Sequence, residues 1–318
     1  MKVWCFDRYG APASLSMEER AMPSPAAGEV LVRVHAAGIN PSDVKNVAGA
    51  FHAELPRVPG RDYAGVIVAG AGREGEAVYG SAPGFGVTRD GSHAEYLVLP
   101  SAWVSAKPKN LSMAQGASVG VPYLAAWFAL VQTGDLRKGE TLLVTGVLGA
   151  VGNAATQIAR DRGARVIGAD LSPASMPGAD AVIDVSHAPL GEEIARLTGG
   201  RGVDLVLDTV GGALFEPALQ SLRTGGRQVA IASNPPVVSF NLVDFYHGCK
   251  RLAGVDTMKL SGEEVAQTMD ALREGFERGA LSLPELRTWP FEEAVQAYEA
   301  VARRDPPVKH VLEMVAPA

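Results

Sequence analysis

Residues Glu140 to Asp170 read ETLLVTGVLGAVGNAATQIARDRGARVIGAD. The apolar run Thr141 to Thr145 has the length and composition of a buried strand, and a tight glycine turn follows it. Beyond the turn, Val151, Ala154, Ala155, Ile158 and Ala159 recur at helical spacing, so one helix face can lie on a sheet. Arg165 to Gly168 then reads as a second strand that closes on an acid, Asp170. This order is a βαβ unit of the kind that binds a dinucleotide.

The glycines Gly146, Gly149 and Gly152 form GxxGxxG, where the commoner fingerprint is GxGxxG. Glycine serves where a turn takes positive φ, where backbone comes close to a pyrophosphate, and where helix meets strand. The helix N-terminus adds free N–H groups and the positive end of its dipole. Asp170 follows Gly152 by 18 positions, close to the offset of about 20 at which an acid accepts hydrogen bonds from the adenosine ribose. Three glycines alone also fit a plain strand-turn-helix connection. Strand, helix and acid together predict the dinucleotide site. Its candidate contacts are Gly146, Leu148, Gly149, Ala150, Val151, Gly152 and Asp170, with Val210 and Ser233 from later in the chain.

Downstream, strands alternate with helices: Ala181–Asp184, Val203–Asp208, Arg227–Ala232 and Arg251–Asp256, then a helix over Gly262–Arg278. That order predicts a parallel sheet with helices on both faces. Only LSPASMPGAD links the second strand to the third, less than a parallel crossover normally needs, which predicts a lost or one-turn helix beside the adenosine pocket. Upstream, residues 1 to about 110 read as mostly β, with short apolar runs punctuated by Gly and Pro. Glu29–Ala37 alternates like a half-buried strand, GINPSDVKNVAGAF is a loop and short helix, and Ala64–Val68 is another strand. Leu111–Val131 is alanine-rich and bridges the domains, with Pro122 dividing it into two helical pieces. The tail EEAVQAYEAVARRDPPVKHVLEMV is a helix and a strand that returns to the first domain.

A chain of 318 residues has room for two cores. Its formal net charge of −6 argues against a broad nucleic-acid footprint. Cys5 and Cys249 are too few for a disulfide framework or a four-cysteine zinc site, which fits a cytoplasmic setting. The N-terminus lacks the apolar core of a signal peptide, and no run of about 18 apolar residues reads as a membrane span.

The ordered set GINPSD, PGRDYAG, GSHAEY, GVLGAVGNAATQIA, VDLVLDTVGG and KHVLEM resembles the medium-chain dehydrogenase/reductase superfamily, and within it the zinc-free quinone oxidoreductase-like branch, over essentially the whole chain. The resemblance implies an α/β fold in which a GroES-like β domain, residues 1–115 and 288–318, flanks a Rossmann doubly wound parallel sheet domain, residues 116–287. It also implies NAD(P)H-dependent reduction in an interdomain cleft, a small-molecule substrate, and a homodimer or homotetramer.

In the zinc alcohol dehydrogenases to which this branch is similar, a cysteine stands where this chain has Asn40 and a histidine where it has Arg61. An amide and a guanidinium cannot replace two of three zinc ligands, so no metal is expected. Without a Lewis acid, the easier chemistry is hydride transfer to a quinone or an α,β-unsaturated carbonyl, with the enzyme positioning the reactants and stabilising an enolate or phenolate oxygen. Asn40 is the first candidate for contact with that oxygen; its plain reading is a turn residue before Pro41. Arg61 either supplies positive charge to the oxyanion or pairs with Asp62 or Asp43. Related enoyl reductases carry a tyrosine where this chain has Phe51. Tyr123 and Tyr246 are the substitute proton donors if they face the cleft, ordinary packed aromatics if they do not; solvent is the remaining donor. Tyr63 reads as a core aromatic.

The NADPH-using quinone reductases resembled here carry a lysine and a tyrosine around the 2′-phosphate, where this chain aligns Ser175 and Val185. Asp170 would repel that phosphate and accept a bond from a free 2′-hydroxyl, so NADH is favoured over NADPH. Arg201 is the basic residue that would oppose this if it reached the site. Two other readings stand beside the reductase: an alcohol dehydrogenase-type oxidoreductase of the same superfamily, and a cofactor-binding sensor or structural protein with little turnover.

Overall fold

In Glu29–Ile39 a largely alternating beginning, EVLVRVH, gives way to AAGI, and the strand follows suit, with Glu29, Arg33 and His35 partly exposed and its end wholly buried. It is the longest strand of the computed structural model, which describes residues 1–171, 176–304 and 308–314. The strands are β1 (Lys2–Cys5), β2 (Ser16–Glu19), β3 (Glu29–Ile39), β4 (Asp62–Ala69), β5 (Ala77–Ser81), β6 (Tyr96–Pro100), β7 (Ser105–Ala106), β8 (Thr141–Thr145), β9 (Arg165–Asp170), β10 (Ala181–Asp184), β11 (Val203–Asp208), β12 (Leu222–Ala230), β13 (Arg251–Gly254), β14 (Leu286–Pro290) and β15 (Lys309–Glu313). The α-helices are α1 (Pro41–Val47), α2 (Met113–Gly116), α3 (Gly120–Trp127), α4 (Ala150–Asp161), α5 (Leu190–Thr198), α6 (Phe215–Gln220), α7 (Leu242–His247), α8 (Gly262–Glu277) and α9 (Ala294–Arg303).

Two compact units result: Met1–Val121 with Met258–Ala318, and Pro122–Thr257. In the first, the order β14-β15-β3-β4-β5-β7 makes a mixed sheet, with β6 also paired to β3. All its pairs are antiparallel except β14 with β15. The return of the chain's end to this sheet, through β15 against β3, is as the sequence leads one to expect.

In the second unit every pair is parallel, in the order β10-β9-β8-β11-β12-β13. This is the doubly wound 3-2-1-4-5-6 arrangement. Strands β8 and β11 are buried at every position, as a parallel sheet covered on both faces requires. Leu143, Ile167, Ile183, Ile194, Val206 and Leu219 form its core.

The units divide elsewhere than at residues 115/116 and 287/288. Helix α8 follows the sixth parallel strand, so alternation alone puts it in the Rossmann unit. Its carbonyls are held instead by the β domain: the Tyr79 hydroxyl donates to Met269 O at 2.6 Å, Ser105 Oγ to Ala266 O at 2.9 Å, and Asn110 Nδ2 to Phe276 O at 2.8 Å. A Ser261/Glu264 capping box starts the helix. The bridge also differs from expectation. Pro122 sits in the first turn of α3, where its missing N–H costs nothing, and the helical segment Met113–Thr133 ends in a π-helix over Phe128–Thr133. By length and composition this 21-residue segment alone among the described residues could cross a membrane, and most of it is buried inside the fold. Between β9 and β10 the described residues contain no helix. Asp180 closes the connection by accepting from Val166 N at 2.8 Å and donating its own N–H to Val166 O at 2.7 Å.

Candidate active site

The carboxyl ends of β8, β9, β11 and β12 carry the predicted dinucleotide contacts. Each glycine there has a distinct physical reason. Gly146 has φ +66°, and a Cβ on it would meet Thr209 Oγ1 at 2.5 Å. Gly152 lets α4 meet β8, since its Cβ would fall 2.4 Å from Gly146 O and 2.6 Å from Val147 Cα. Gly149, the residue before α4, is different: φ is −73°, and the nearest atom to its Cβ is Gly146 O at 3.3 Å. Its outer side is open for a ligand. Ala150 is exposed and Val151 half-buried at the helix start, where the first N–H groups have no partner within the helix.

Asp170 stands beside this turn. Its Oδ2 accepts from Leu148 N at 3.0 Å and its Oδ1 from Leu171 N at 2.8 Å. Val185 N donates to Asp170 O at 2.9 Å, which brings the end of β10 alongside. Ser175 lies outside the described residues. Arg201 does not reach this end of the sheet: it pairs with Asp204 at 2.6 Å, at the start of β11, where Asp204 also accepts from Thr141 N. The sequence reading missed Asp208. Wholly buried, it accepts from Thr145 Oγ1 at 2.6 Å, Val210 N at 3.1 Å and Gly211 N at 2.9 Å, so one carboxylate ties the ends of β8 and β11 together. Ser233 Oγ accepts from Gly212 N at 3.3 Å and donates to Pro235 O at 2.6 Å.

In the β domain, Asn40 and Arg61 lie in a buried polar cluster. Asn40 precedes α1, and Asp43 reaches back to accept its N–H at 2.7 Å. The Asn40 side chain is spoken for on both ends, with Nδ2 donating to Asp62 Oδ2 at 2.8 Å and Oδ1 accepting from Lys309 Nζ at 2.6 Å. Lys309 also pairs with Asp62 at 3.2 Å, and the other Asp62 oxygen accepts from Val121 N at 2.8 Å. Lys309, in the KHVLEM strand, was not a sequence candidate; a lysine inside an apolar strand was the available signal.

Arg61 sits 3.8 Å from Asp43 and donates to Ser42 Oγ at 2.5 Å and to the Met258 thioether at 3.1 Å. Its buried Nε has no hydrogen-bond partner. Of the two acids named as partners for it, Asp43 is the one that Arg61 pairs with. Burial pushes the Asp43 carboxyl up to about 6, against the pull of Arg61. His93, also wholly buried, is tied between Gly38 O at 3.3 Å and the Tyr298 hydroxyl at 3.0 Å, and burial lowers it to about 4. Among the described residues no three His, Cys, Asp or Glu side chains converge as a metal site would need.

The two tyrosines part company. Tyr123 is 1% exposed, its hydroxyl 3.4 Å from Gln157 Nε2, and burial raises its pKa well above that of a free phenol. It is a packed interior aromatic, the plainer of the two readings given for it. Tyr246 is 57% exposed on α7, with its ring 4.6 Å from that of His247. Tyr63 is wholly buried against Phe85, as its reading as a core aromatic requires.

Residues 26–109 match the family described as alcohol dehydrogenase GroES-like domain, and residues 150–274 the one described as zinc-binding dehydrogenase. A zinc-type alcohol dehydrogenase-like protein of Schizosaccharomyces pombe is 36% identical over 84% of this chain and 82% of its own. Human quinone oxidoreductase is 30% identical over 92% of this chain and 91% of its own. Among solved structures, an NAD-dependent alcohol dehydrogenase superposes with a TM-score of 0.87 at 28% identity, covering 99% of this chain and 100% of that one. A mycobacterial protein complexed with NADPH gives 0.85 at 25% identity, covering 98% and 99%.

Proposed function

We propose that this chain, which belongs to the medium-chain dehydrogenase/reductase superfamily and is an NAD(P)-dependent oxidoreductase of it, reduces a quinone or an α,β-unsaturated carbonyl without zinc, using NADH in preference to NADPH. The observation that carries the reading is the Asn40–Asp62–Lys309 and Arg61–Asp43 cluster. Zinc takes thiolate, imidazole or carboxylate donors. Here an amide and a guanidinium hold the two positions, both nearby carboxylates already neutralise a cation, and both nitrogens of His93 are engaged. These residues do not fit a zinc ion.

The reduced nicotinamide supplies a hydride from C4 when bound. The chain's own part begins at the start of α4, where Ala150 and Val151 present backbone N–H groups to a pyrophosphate. Asp170 offers carboxylate oxygens to a ribose hydroxyl. In the β domain the oxygen contact passes from Asn40, whose amide is already bound at both ends, to Arg61. The buried guanidinium keeps an unpartnered Nε–H and a second N–H on a weak sulfur acceptor. Completing that set with a developing oxyanion stabilises it in a low-dielectric setting. Ser42 Oγ accepts from Arg61, which leaves its own hydrogen to donate.

The exposed Leu242, Val243 and Tyr246 on α7 and Leu252 on the edge strand β13 support a homo-oligomer joined along that edge. The unpaired thiols Cys5 and Cys249 fit a cytoplasmic protein.

The test is steady-state oxidation of NADH and NADPH against 1,4-benzoquinone, phenanthrenequinone and a small enone panel, with and without a chelator. Substrate-dependent oxidation that survives the chelator is expected, with R61M losing turnover but keeping NADH affinity. Chelator-sensitive alcohol oxidation, or stoichiometric zinc by elemental analysis, would establish the metal-dependent dehydrogenase instead. Tight cofactor binding with no oxidation of any pair would favour the sensor.

A further inference from the structure

Asp170 and Asp184 close neighbouring parallel strands, and they are register partners. Such partners project from the same face of the sheet with strands about 4.8 Å apart, so two carboxylates stand side by side at its carboxyl edge. The backbone keeps them there, because Val185 N, one residue beyond Asp184, donates to Asp170 O at 2.9 Å. Asp184 is fixed in turn by Ser186, whose N–H donates to Asp184 Oδ1 at 3.0 Å and whose hydroxyl donates to the same oxygen. Those bonds hold the carboxyl below the usual carboxylate range, so it stays charged.

The connection Leu171–Asp180 contains no lysine or arginine. Arg160 is paired with Asp180 at 3.2 Å, and Arg201 with Asp204 at the opposite end of the sheet. His187 is a basic group close enough to act on Asp184.

The geometry points to Asp184 as a second specificity-determining residue for the dinucleotide, acting with Asp170 to exclude a phosphate on the adenosine ribose. The inference rests on the NADH preference proposed above and adds a residue to it. A 2′-phosphate carries close to two negative charges. Placed at the ribose position beside Asp170, it would lie about 6–8 Å from Asp184, a repulsion worth roughly threefold to tenfold in NADPH affinity at low salt. A free 2′-hydroxyl feels no comparable force. Because both groups are only half-buried, the effect should fade as the Debye length shrinks.

The experiment measures dissociation constants of NADH and NADPH for the full chain at pH 8, at 20 mM and 500 mM salt. The proteins are wild type, D184N, D170N, D184E, S186A and D170N/D184N. At low salt D184N is expected to tighten NADPH roughly threefold to tenfold, with NADH unchanged within about twofold, and the gain should vanish at high salt. D184E, which keeps the charge, and S186A, which keeps the carboxylate but loses one of its partners, should both retain the wild-type ratio. If D184N leaves NADPH binding unchanged while D170N narrows the preference, the role of Asp184 is overturned and the NADH reading stands. If S186A shifts the ratio as much as D184N, loop shape rather than charge is responsible and the inference fails. Tighter binding of NADPH than NADH by the wild type would remove the NADH reading itself.

Discussion

The three glycines of the dinucleotide turn should fail in three different ways when replaced by alanine. At Gly152 the added Cβ would stand 2.4 Å from Gly146 O, 2.6 Å from Val147 Cα and 2.7 Å from Val147 O. All three are backbone atoms, so no side chain can swing aside. Restoring an ordinary contact requires α4 to back away from β8 by roughly 0.7–1 Å, and overpacking of that kind costs about 1–3 kcal/mol. G152A should therefore lower the Tm by several degrees and weaken NADH as the turn moves. At Gly149 the backbone is extended, with φ −73°, and the Cβ would have one neighbour within 4 Å, Gly146 O at 3.3 Å. Alanine costs less than about 1 kcal/mol there, as at other positions that precede a helix. Its methyl, however, fills the open side on which a pyrophosphate approaches, so G149A should lose about tenfold or more in NADH affinity while its Tm stays near wild type.

Gly146 combines both faults. Its φ of +66° costs a residue with a Cβ about 1–2 kcal/mol, and Thr209 Oγ1 lies 2.5 Å from that Cβ. G146A should lose stability and affinity together. Thermal unfolding and fluorescence titration with NADH, run on the three variants side by side, separate the cases. The reasoning fails if G149A unfolds as early as G152A, or if G149A binds NADH as tightly as the wild type.

Lys309 neutralises the wholly buried Asp62. K309M should cost about 3–5 kcal/mol by urea unfolding, and D62N/K309M, with no buried charge left alone, should recover part of that loss; a double variant that is the sum of its singles would refute the pairing. Asp43 has a folded-state pKa raised to about 6 from 3.8, so the folded chain holds this proton where the unfolded chain has released it. Its contribution therefore favours folding at low pH and falls as pH rises from about 4 to about 6, by up to about 3 kcal/mol. The stability of D43N relative to wild type should improve across that window in a pH series of denaturant titrations, and a constant difference would sink the idea. Aspartates at Tyr246 and Leu252 place charge on the exposed edge formed by α7 and β13. Light scattering should find the wild type dimeric or larger and Y246D/L252D monomeric; a monomeric wild type at 10 μM would refute the edge as an interface.

The Rossmann half was legible because its signals are local. A strand, a turn needing positive φ and a helix with one apolar face lie within the 31 residues first quoted, and β8, β10 and β11 have the residue bounds their apolar runs indicate. What escaped was set by partners far along the chain. Helix α8 belongs to the β domain because Tyr79, Ser105 and Asn110 hold it, and no periodicity within the helix says so. Tyr123 and Tyr246 looked alike in sequence, each in a mixed apolar setting, and only packing separates one that is 1% exposed from one that is 57% exposed.

The same distance explains why the β-domain cluster was half seen. Asn40, Asp43, Arg61 and Asp62 fall in two short motifs, so their proximity could be inferred, but the cation that binds Asn40 and Asp62 arrives from Lys309, 247 residues beyond Asp62. With Lys309 in place, Asn40 is a structural joint, and its plain reading as the residue before Pro41 gains over the functional one. Without it, Asp62 would be a buried carboxylate that has lost its paired cation and keeps only the neutral donors Asn40 Nδ2 and Val121 N. Arg61 is the reverse case. Asp43 balances its charge at 3.8 Å but leaves the Nε–H without an acceptor, and a buried donor left in that state costs about 1–3 kcal/mol. Within the proposed chemistry a substrate oxygen completes that set, so Lys309 holds the cluster together and Arg61 meets the ligand.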